Sequence, residues 1–234
     1  MRDRLVVALD LPGGREALAM ASRLQGRVGL FKVGLELFSA EGPAFVRELS
    51  RWGPVFLDLK FHDIPTTVGR AVERLLDLDP RLVNVHAQGG SAMLGAAAEA
   101  VQKHRTGGGR TELLAVTVLT SLDAAALEET GHQGDPARLA LRLARLAKNA
   151  GCDGVVCSAQ EAGVIREACG DAFWRLTPVI RPLGASSQDQ ARVVDPAQAI
   201  RAGSTWLVVG RPITHAADPE AAAEEILRQM EGAG

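Results

Sequence analysis

Short runs of β-branched and leucine residues alternate along this chain with longer stretches in which apolar positions recur at helical spacing. The short runs predict strands over Leu5–Leu9, Val28–Val33, Val55–Leu59, Leu82–His86, Glu112–Leu119, Gly154–Cys157, Trp174–Ile180 and Trp206–Val209. The stretches between them predict helices over Arg15–Leu24, Ala44–Arg51, Thr67–Leu76, Ala92–His104, Pro136–Ala150, Gln160–Ala168, Pro196–Ala202 and Pro219–Met230. Regular strand–helix alternation predicts a parallel sheet. Eight such units in 234 residues suit a closed (β/α)8 TIM barrel better than an open doubly wound sheet. The strands are apolar almost without interruption, as expected where both faces of a sheet are covered. No linker or low-complexity segment divides the chain, so residues 1–234 read as a single barrel domain, with Gly107-Gly108-Gly109 as a surface turn.

Composition narrows the class. The chain is 47% hydrophobic and 23% charged, enough to build a sizeable core. A net charge of −2, with no basic stripe, argues against nucleic acid as the main partner. No apolar run reaches the roughly 20 residues of a membrane-crossing helix. Met1-Arg2-Asp3-Arg4 leads straight into a strand rather than a secretory signal, so a cytoplasmic location is expected. Cys152, Cys157 and Cys169 match no redox or zinc spacing and read as buried, hydrophobic thiols. Lysine is scarce: only Lys32, Lys60, Lys103 and Lys148 occur among the 26 basic residues. Two of those lie at predicted strand ends.

The strand ends hold the chemistry. Polar residues there are Asp10, Lys32, Asp58, Lys60, His86, Thr117, Thr120, Ser158, Arg181 and Arg211, and in a barrel these ends converge on one rim. Asp10 reads equally as a turn residue before Pro12-Gly13, and His86 equally as a core histidine. The segment Asp58-Leu59-Lys60-Phe61-His62-Asp63 is harder to explain by packing. Alternation along a strand puts Asp58 and Lys60 on one face and Leu57, Leu59 and Phe61 on the other, with Asp63 following in the turn. Charge is costly to bury, so a charged pair ending an apolar strand points to a site. An opposite charge about 4 Å away is worth roughly 4 kcal/mol at an effective dielectric near 20. Carboxylates around Lys60 therefore favour the ammonium form, suited to a proton donor. A Schiff-base lysine needs the opposite surroundings. The same ammonium opposes a divalent metal between Asp58 and Asp63, and His62 and His86 lack metal-ligand spacing. No catalytic metal is expected there.

Near the end of the chain, Val209-Gly210-Arg211-Pro212 follows the last strand, where this fold commonly holds phosphate. Gly210 permits close backbone approach, and Arg211 offers a permanent forked cation. Arg181 ends the seventh predicted strand similarly. The polar loop 182–193, containing Ser186, Ser187 and Gln190, has the length and composition of a lid over a phosphorylated ligand. No dinucleotide or ATP signature is present.

Asp58-x-Lys60-x-x-Asp63-Ile64-Pro65-x-Thr67 resembles the signature of the orotidine 5′-phosphate decarboxylase family. Ala8-Leu9-Asp10, Lys32-Val33-Gly34, Val85-His86-Ala87, Val118-Leu119-Thr120-Ser121, Arg181-Pro182, Asp189-Gln190 and Val209-Gly210-Arg211 recur in that family's order, so the likeness covers nearly the whole chain. The resemblance implies a (β/α)8 barrel acting as a homodimer without metal or cofactor. It implies conversion of orotidine 5′-monophosphate to UMP and CO2, the last step of de novo pyrimidine synthesis. Lys60 would protonate C6, Asp58 and Lys32 would belong to its charge network, and Asp63 would enter from the partner subunit. Asp10, Lys32 and Thr67 would hold the ribose, Thr67 across the dimer, and Thr120 the pyrimidine. Arg181, Gln190, Gly210 and Arg211 would grip phosphate. Two segments depart from the family pattern, Pro178-Val179 before Ile180-Arg181 and Ala185-Ser186-Ser187 in the lid, both on the phosphate side. The rival readings are a Mg-dependent sugar-phosphate lyase or synthase of a related barrel, a Schiff-base aldolase, and a non-catalytic nucleotide-binding barrel.

Overall fold

A computed structural model describes residues 1–132, 134–178 and 194–232. Its order is β1 (Leu5–Ala8), α1 (Gly14–Leu24), β2 (Leu30–Gly34), α2 (Leu35–Leu49), β3 (Val55–Phe61), α3 (Pro65–Leu76), β4 (Leu82–His86) and α4 (Gly90–Thr106). There follow β5 (Glu112–Val116), α5 (Ala124–Glu129), α6 (Pro136–Asn149), β6 (Gly154–Val156), α7 (Ala159–Cys169), β7 (Trp174–Thr177), α8 (Pro196–Arg201), β8 (Trp206–Val209), α9 (Arg211–Thr214) and α10 (Pro219–Glu231). The strands pair in parallel in sequence order, and β8 returns to β1 to close the barrel. The (β/α)8 TIM barrel read from the sequence is the observed fold.

Local chemistry explains where many elements begin. Three helices open on Asp-Pro: Asp135, Asp195 and Asp218 are N-caps whose carboxylates accept main-chain N–H bonds, and the following proline takes the first helical position. These starts coincide with the predicted ones. The second helix does not. It begins at Leu35, nine residues before the predicted Ala44, and bends at Gly42 (φ 68°) before Pro43. That Gly-Pro pair reads as a stop in the sequence, and the chain instead kinks through it. The short α5 and α9 were too brief to carry a periodic signal.

Two apolar layers hold the barrel. Between strands and helices lies the larger one, including Leu5, Val7, Leu57, Val83 and Val85. Inside the barrel a smaller cluster contains Val6, Leu30, Phe56, Leu82, Leu114 and Val208. Trp174 and Trp206, the first residues of β7 and β8, stack with ring centres 5.0 Å apart and pack against the inner cluster. Arg81 lies over Trp174 at 5.2 Å, so an aromatic floor closes the N-terminal end. The opposite end stays open for a site. All three cysteines are free and buried, and burial pushes the Cys152 thiol up to about 12, as expected of inert packing residues.

Candidate active site

The inner face of the barrel changes character along each strand. Going toward the C-terminal end, Leu30 on β2 is followed two residues on by Lys32, Phe56 on β3 by Asp58, and Leu82 on β4 by Asn84. Each apolar residue belongs to the inner cluster and each polar one is buried. The strand period of two therefore stacks a polar layer on the apolar one. Above it opens a cavity of about 380 Å3, walled by Asp10, Lys32, Asp58, Lys60, Thr120 and Arg211 among others. Its apolar side includes Val116, Val156 and Leu176. Gly210 also borders it, while Arg211 opens α9 beside Pro212.

Within the polar layer the charges alternate. Lys32 Nζ lies 3.0 Å from Asp10 Oδ1 and 3.4 Å from Asp58 Oδ2. Lys60 Nζ donates to Asp58 Oδ1 at 2.7 Å. A side chain at Gly34 would press on this chain, since a Cβ there would sit 3.2 Å from Lys32 Nζ and 3.3 Å from Asp10 Oδ1. Burial pushes the Asp58 carboxyl up. Lys32, Lys60 and the hydrogen bonds from Lys60 and Asn84 more than offset it and hold the group below the usual carboxylate range. Asp58 thus stays an anion held between two cations.

The lysine sits on distorted backbone. Leu57 pairs with Val83, yet the next pairing of β3 is Phe61 with Val85, so Asp58, Leu59 and Lys60 bulge opposite Asn84. Lys60 has φ 50°, the left-handed region that non-glycine residues rarely enter. Despite the bulge the predicted faces hold: Asp58 and Lys60 line the cavity, while Leu57 and Leu59 belong to the outer layer.

Other rim residues divide clearly. Thr117 is buried and donates to the Val156 carbonyl, and Ser158, at the N-cap of α7, donates its main-chain N–H to Glu161 Oε2 at 2.9 Å, so both belong to the framework. His86 is half-buried beside His62, with ring centres 5.5 Å apart. Burial, with the nearby His62 and Lys60, pushes its imidazole below the ordinary value against the pull of Asp58. Asp63 does not turn back to Lys60; its carboxylate accepts the Ile64 N–H at 2.7 Å. Asp63 and Thr67 are exposed and outside the cavity wall. Arg181, Gln190 and the departures at Val179 and 185–187 lie outside the described residues. Asn84 was missed by the sequence reading. Its signal was a lone amide in the apolar strand Leu82-Val83-Asn84-Val85, at an inward position.

A parallel barrel with its charged cavity at the C-terminal rim, walled below by packed aliphatics, is the architecture of a (β/α)8 enzyme. The model of the orotidine 5'-phosphate decarboxylase / HUMPS family matches residues 3–226, and the chain belongs to that family. A relative from Halorhodospira halophila, named orotidine 5'-phosphate decarboxylase, is 53% identical over 232 residues, 99% of this chain and 97% of its own length. One of the same name from Alkalilimnicola ehrlichii is 52% identical over 228 residues, 97% of this chain and 96% of its own. The crystal structure of orotidine 5'-phosphate decarboxylase from Lactobacillus acidophilus has a TM-score of 0.86 at 38% identity, covering 97% of this chain and 98% of that one. Another from Pyrococcus horikoshii OT3, at 24% identity and a TM-score of 0.78 over 97% of this chain and 99% of that one, matches in fold.

Proposed function

We propose that this chain is a carboxy-lyase that decarboxylates orotidine 5′-monophosphate to UMP and CO2, completing pyrimidine nucleotide synthesis. The observation that carries the residue roles is the Lys32–Asp58–Lys60 alternation in the wall of the rim cavity, above the apolar layer of the barrel. Heterolysis of the C6–carboxylate bond releases CO2 and leaves its electron pair on C6. Lys60 supplies the proton that C6 takes up, and water returns a proton to the amine. A fixed ammonium beside developing negative charge stabilises the transition state, and each ~1.4 kcal/mol so gained is tenfold in rate. Asp58 holds that ammonium in position, and Lys32 holds Asp58 from its other side.

Asp10 and Lys32 take ribose hydroxyls, Thr120 the pyrimidine, and Gly210 and Arg211 the phosphate with Arg181 and Gln190. The working unit is a cytoplasmic homodimer of single-domain barrels. In each site, Asp63 of the partner subunit lies beside the departing carboxylate, and Thr67 of the partner subunit reaches the ribose. Support comes from the exposure of both residues in one chain, with the apolar side chain of Ile64 between them also 66% exposed. Neither metal nor organic cofactor takes part. The curated relatives compared above bear the decarboxylase name, which favours this reading over the Mg-dependent sugar-phosphate alternative.

The test is the loss of orotidylate's ultraviolet absorbance on adding protein. Turnover should survive EDTA, and Lys60→Ala should lower kcat by at least roughly 10³-fold, since it removes both the acid and the charge. Wild-type turnover in Lys60→Ala would reject the proton donor, and complete loss in EDTA would return the Mg-dependent reading.

A further inference from the structure

Asn84 sits in β4 between Val83 and Val85 and is 1% exposed. Asparagine is poorly suited to strand interiors, and a buried amide is costly unless both ends are bonded. Both ends are bonded here. Its Nδ2 donates to Asp58 Oδ1 at 2.7 Å, and its Oδ1 accepts the Lys60 main-chain N–H at 2.8 Å. The partners fix the amide's orientation: a main-chain N–H only donates, and an ionised carboxylate only accepts. Asn84 does not border the cavity, so it reaches substrate only through its two partners.

We propose that Asn84 is the positioning residue of this site, one amide that locks the Asp58 carboxylate and the left-handed Lys60 backbone into a single unit. The bulge in β3 removes the ordinary ladder bond that Lys60 N–H would make, because three residues of β3 face Asn84 alone. The amide oxygen replaces that bond and holds φ at 50°. That backbone setting directs the lysine stem into the cavity. The amide nitrogen meanwhile fixes the same oxygen, Asp58 Oδ1, that receives Lys60 Nζ at 2.7 Å. Backbone and ammonium of Lys60 are thereby anchored to one side chain on a neighbouring strand. Serine is too short to span both partners, leucine has no polar atoms, and aspartate is an acceptor at both ends.

Aspartate gives the sharpest test. In Asn84→Asp one oxygen still accepts the Lys60 N–H, while the other faces Asp58 Oδ1 as a second carboxylate. Protonating one of the pair restores the missing donor. The titratable groups around this position are Asp58 and Lys60 on β3, Lys32 on β2 through Asp58, and His86 on β4 with His62 against it. Opposite on β5 stands apolar Leu114.

The proposal rests on the roles given above to Lys60 and Asp58. Steady-state kinetics with orotidylate across pH 5–9 test it, on wild type, Asn84→Ala, Asn84→Asp and Lys60→Ala. Asn84→Ala should lose about 100-fold in kcat, the scale of a displacement near 1 Å, with KM changed by less than about threefold. Asn84→Asp should be at least as impaired at pH 8 and should recover, relative to wild type, as pH falls below about 6. A kcat within about threefold of wild type in Asn84→Ala overturns the proposal, on the same displacement argument. So does a flat ratio of Asn84→Asp to wild type across the range, since a merely structural defect has no reason to reverse with acid. Should Asn84→Ala fail to fold, the near-isosteric Asn84→Asp decides alone by its profile. Retained turnover in Lys60→Ala would instead overturn the acid role beneath it.

Discussion

Asp58 illustrates how opposing terms are settled at the residue scale. Burial alone would favour its neutral form, but two ammonium groups within 3.4 Å and the Asn84 amide reverse the balance. The folded carboxyl therefore titrates below its unfolded value of about 3.9. Its contribution to stability is present above that unfolded value and lost as pH falls through the lower folded one. Wild-type melting temperature should accordingly drop more steeply below about pH 4 than that of Asp58→Asn. Parallel curves would show that Asp58 has no net favourable partners. Lys60 invites a second substitution. Lys60→Arg keeps a cation but puts the proton on a guanidinium that does not release it. If proton delivery is the role, its kcat should fall nearly as far as that of Lys60→Ala; a loss below about tenfold would make Lys60 an electrostatic group alone.

At the scale of elements, the framework at the closed N-terminal end of the barrel hangs on Arg175. It is 3% exposed on β7 and donates to the carbonyls of Gly203, Gly170 and Phe173, tying the end of α7 to the turn before β8. Arg175→Met would leave several carbonyls unpaired, at about 1–3 kcal/mol for each buried group. We expect a loss of about 3 kcal/mol in urea unfolding, with kcat for orotidylate within about threefold of wild type. An undiminished unfolding midpoint would show that water replaces the guanidinium. Legibility at this scale followed the strength of the local signal. Helices opening on Asp-Pro were placed at their true starts because cap and proline act locally. The helix over Leu35–Leu49 was read only from Ala44, because nothing local shows that Gly42 takes a positive φ and lets the helix resume. The strand predicted over Glu112–Leu119 ends at Val116, although Thr117 N–H still bonds to the Val156 carbonyl at 3.1 Å. The bulge at Lys60 was invisible for a related reason. It exists only relative to β4.

At the scale of the whole molecule, mixed subunits test the shared site. If the sites are shared as proposed, Lys60→Ala and Asp63→Ala fall in the same site of a mixed dimer. One site then carries both defects and the other neither. Equal mixing with subunit exchange should restore about a quarter of wild-type activity, because half the dimers are mixed and each holds one intact site. Two inactive proteins that stay inactive after exchange would mean that Asp63 serves its own barrel or none. By itself, the sequence determined the barrel, the rim and the shared face of Asp58 and Lys60, since strand period and strand–helix alternation are local and repeat along the chain. Only the tertiary structure decided that Asp63 turns away from Lys60 and that Asn84 holds the lysine's backbone. The Asn84 bond depends on which residue of the neighbouring strand stands opposite Lys60, and pairing register between strands is a property of the closed barrel rather than of any one segment.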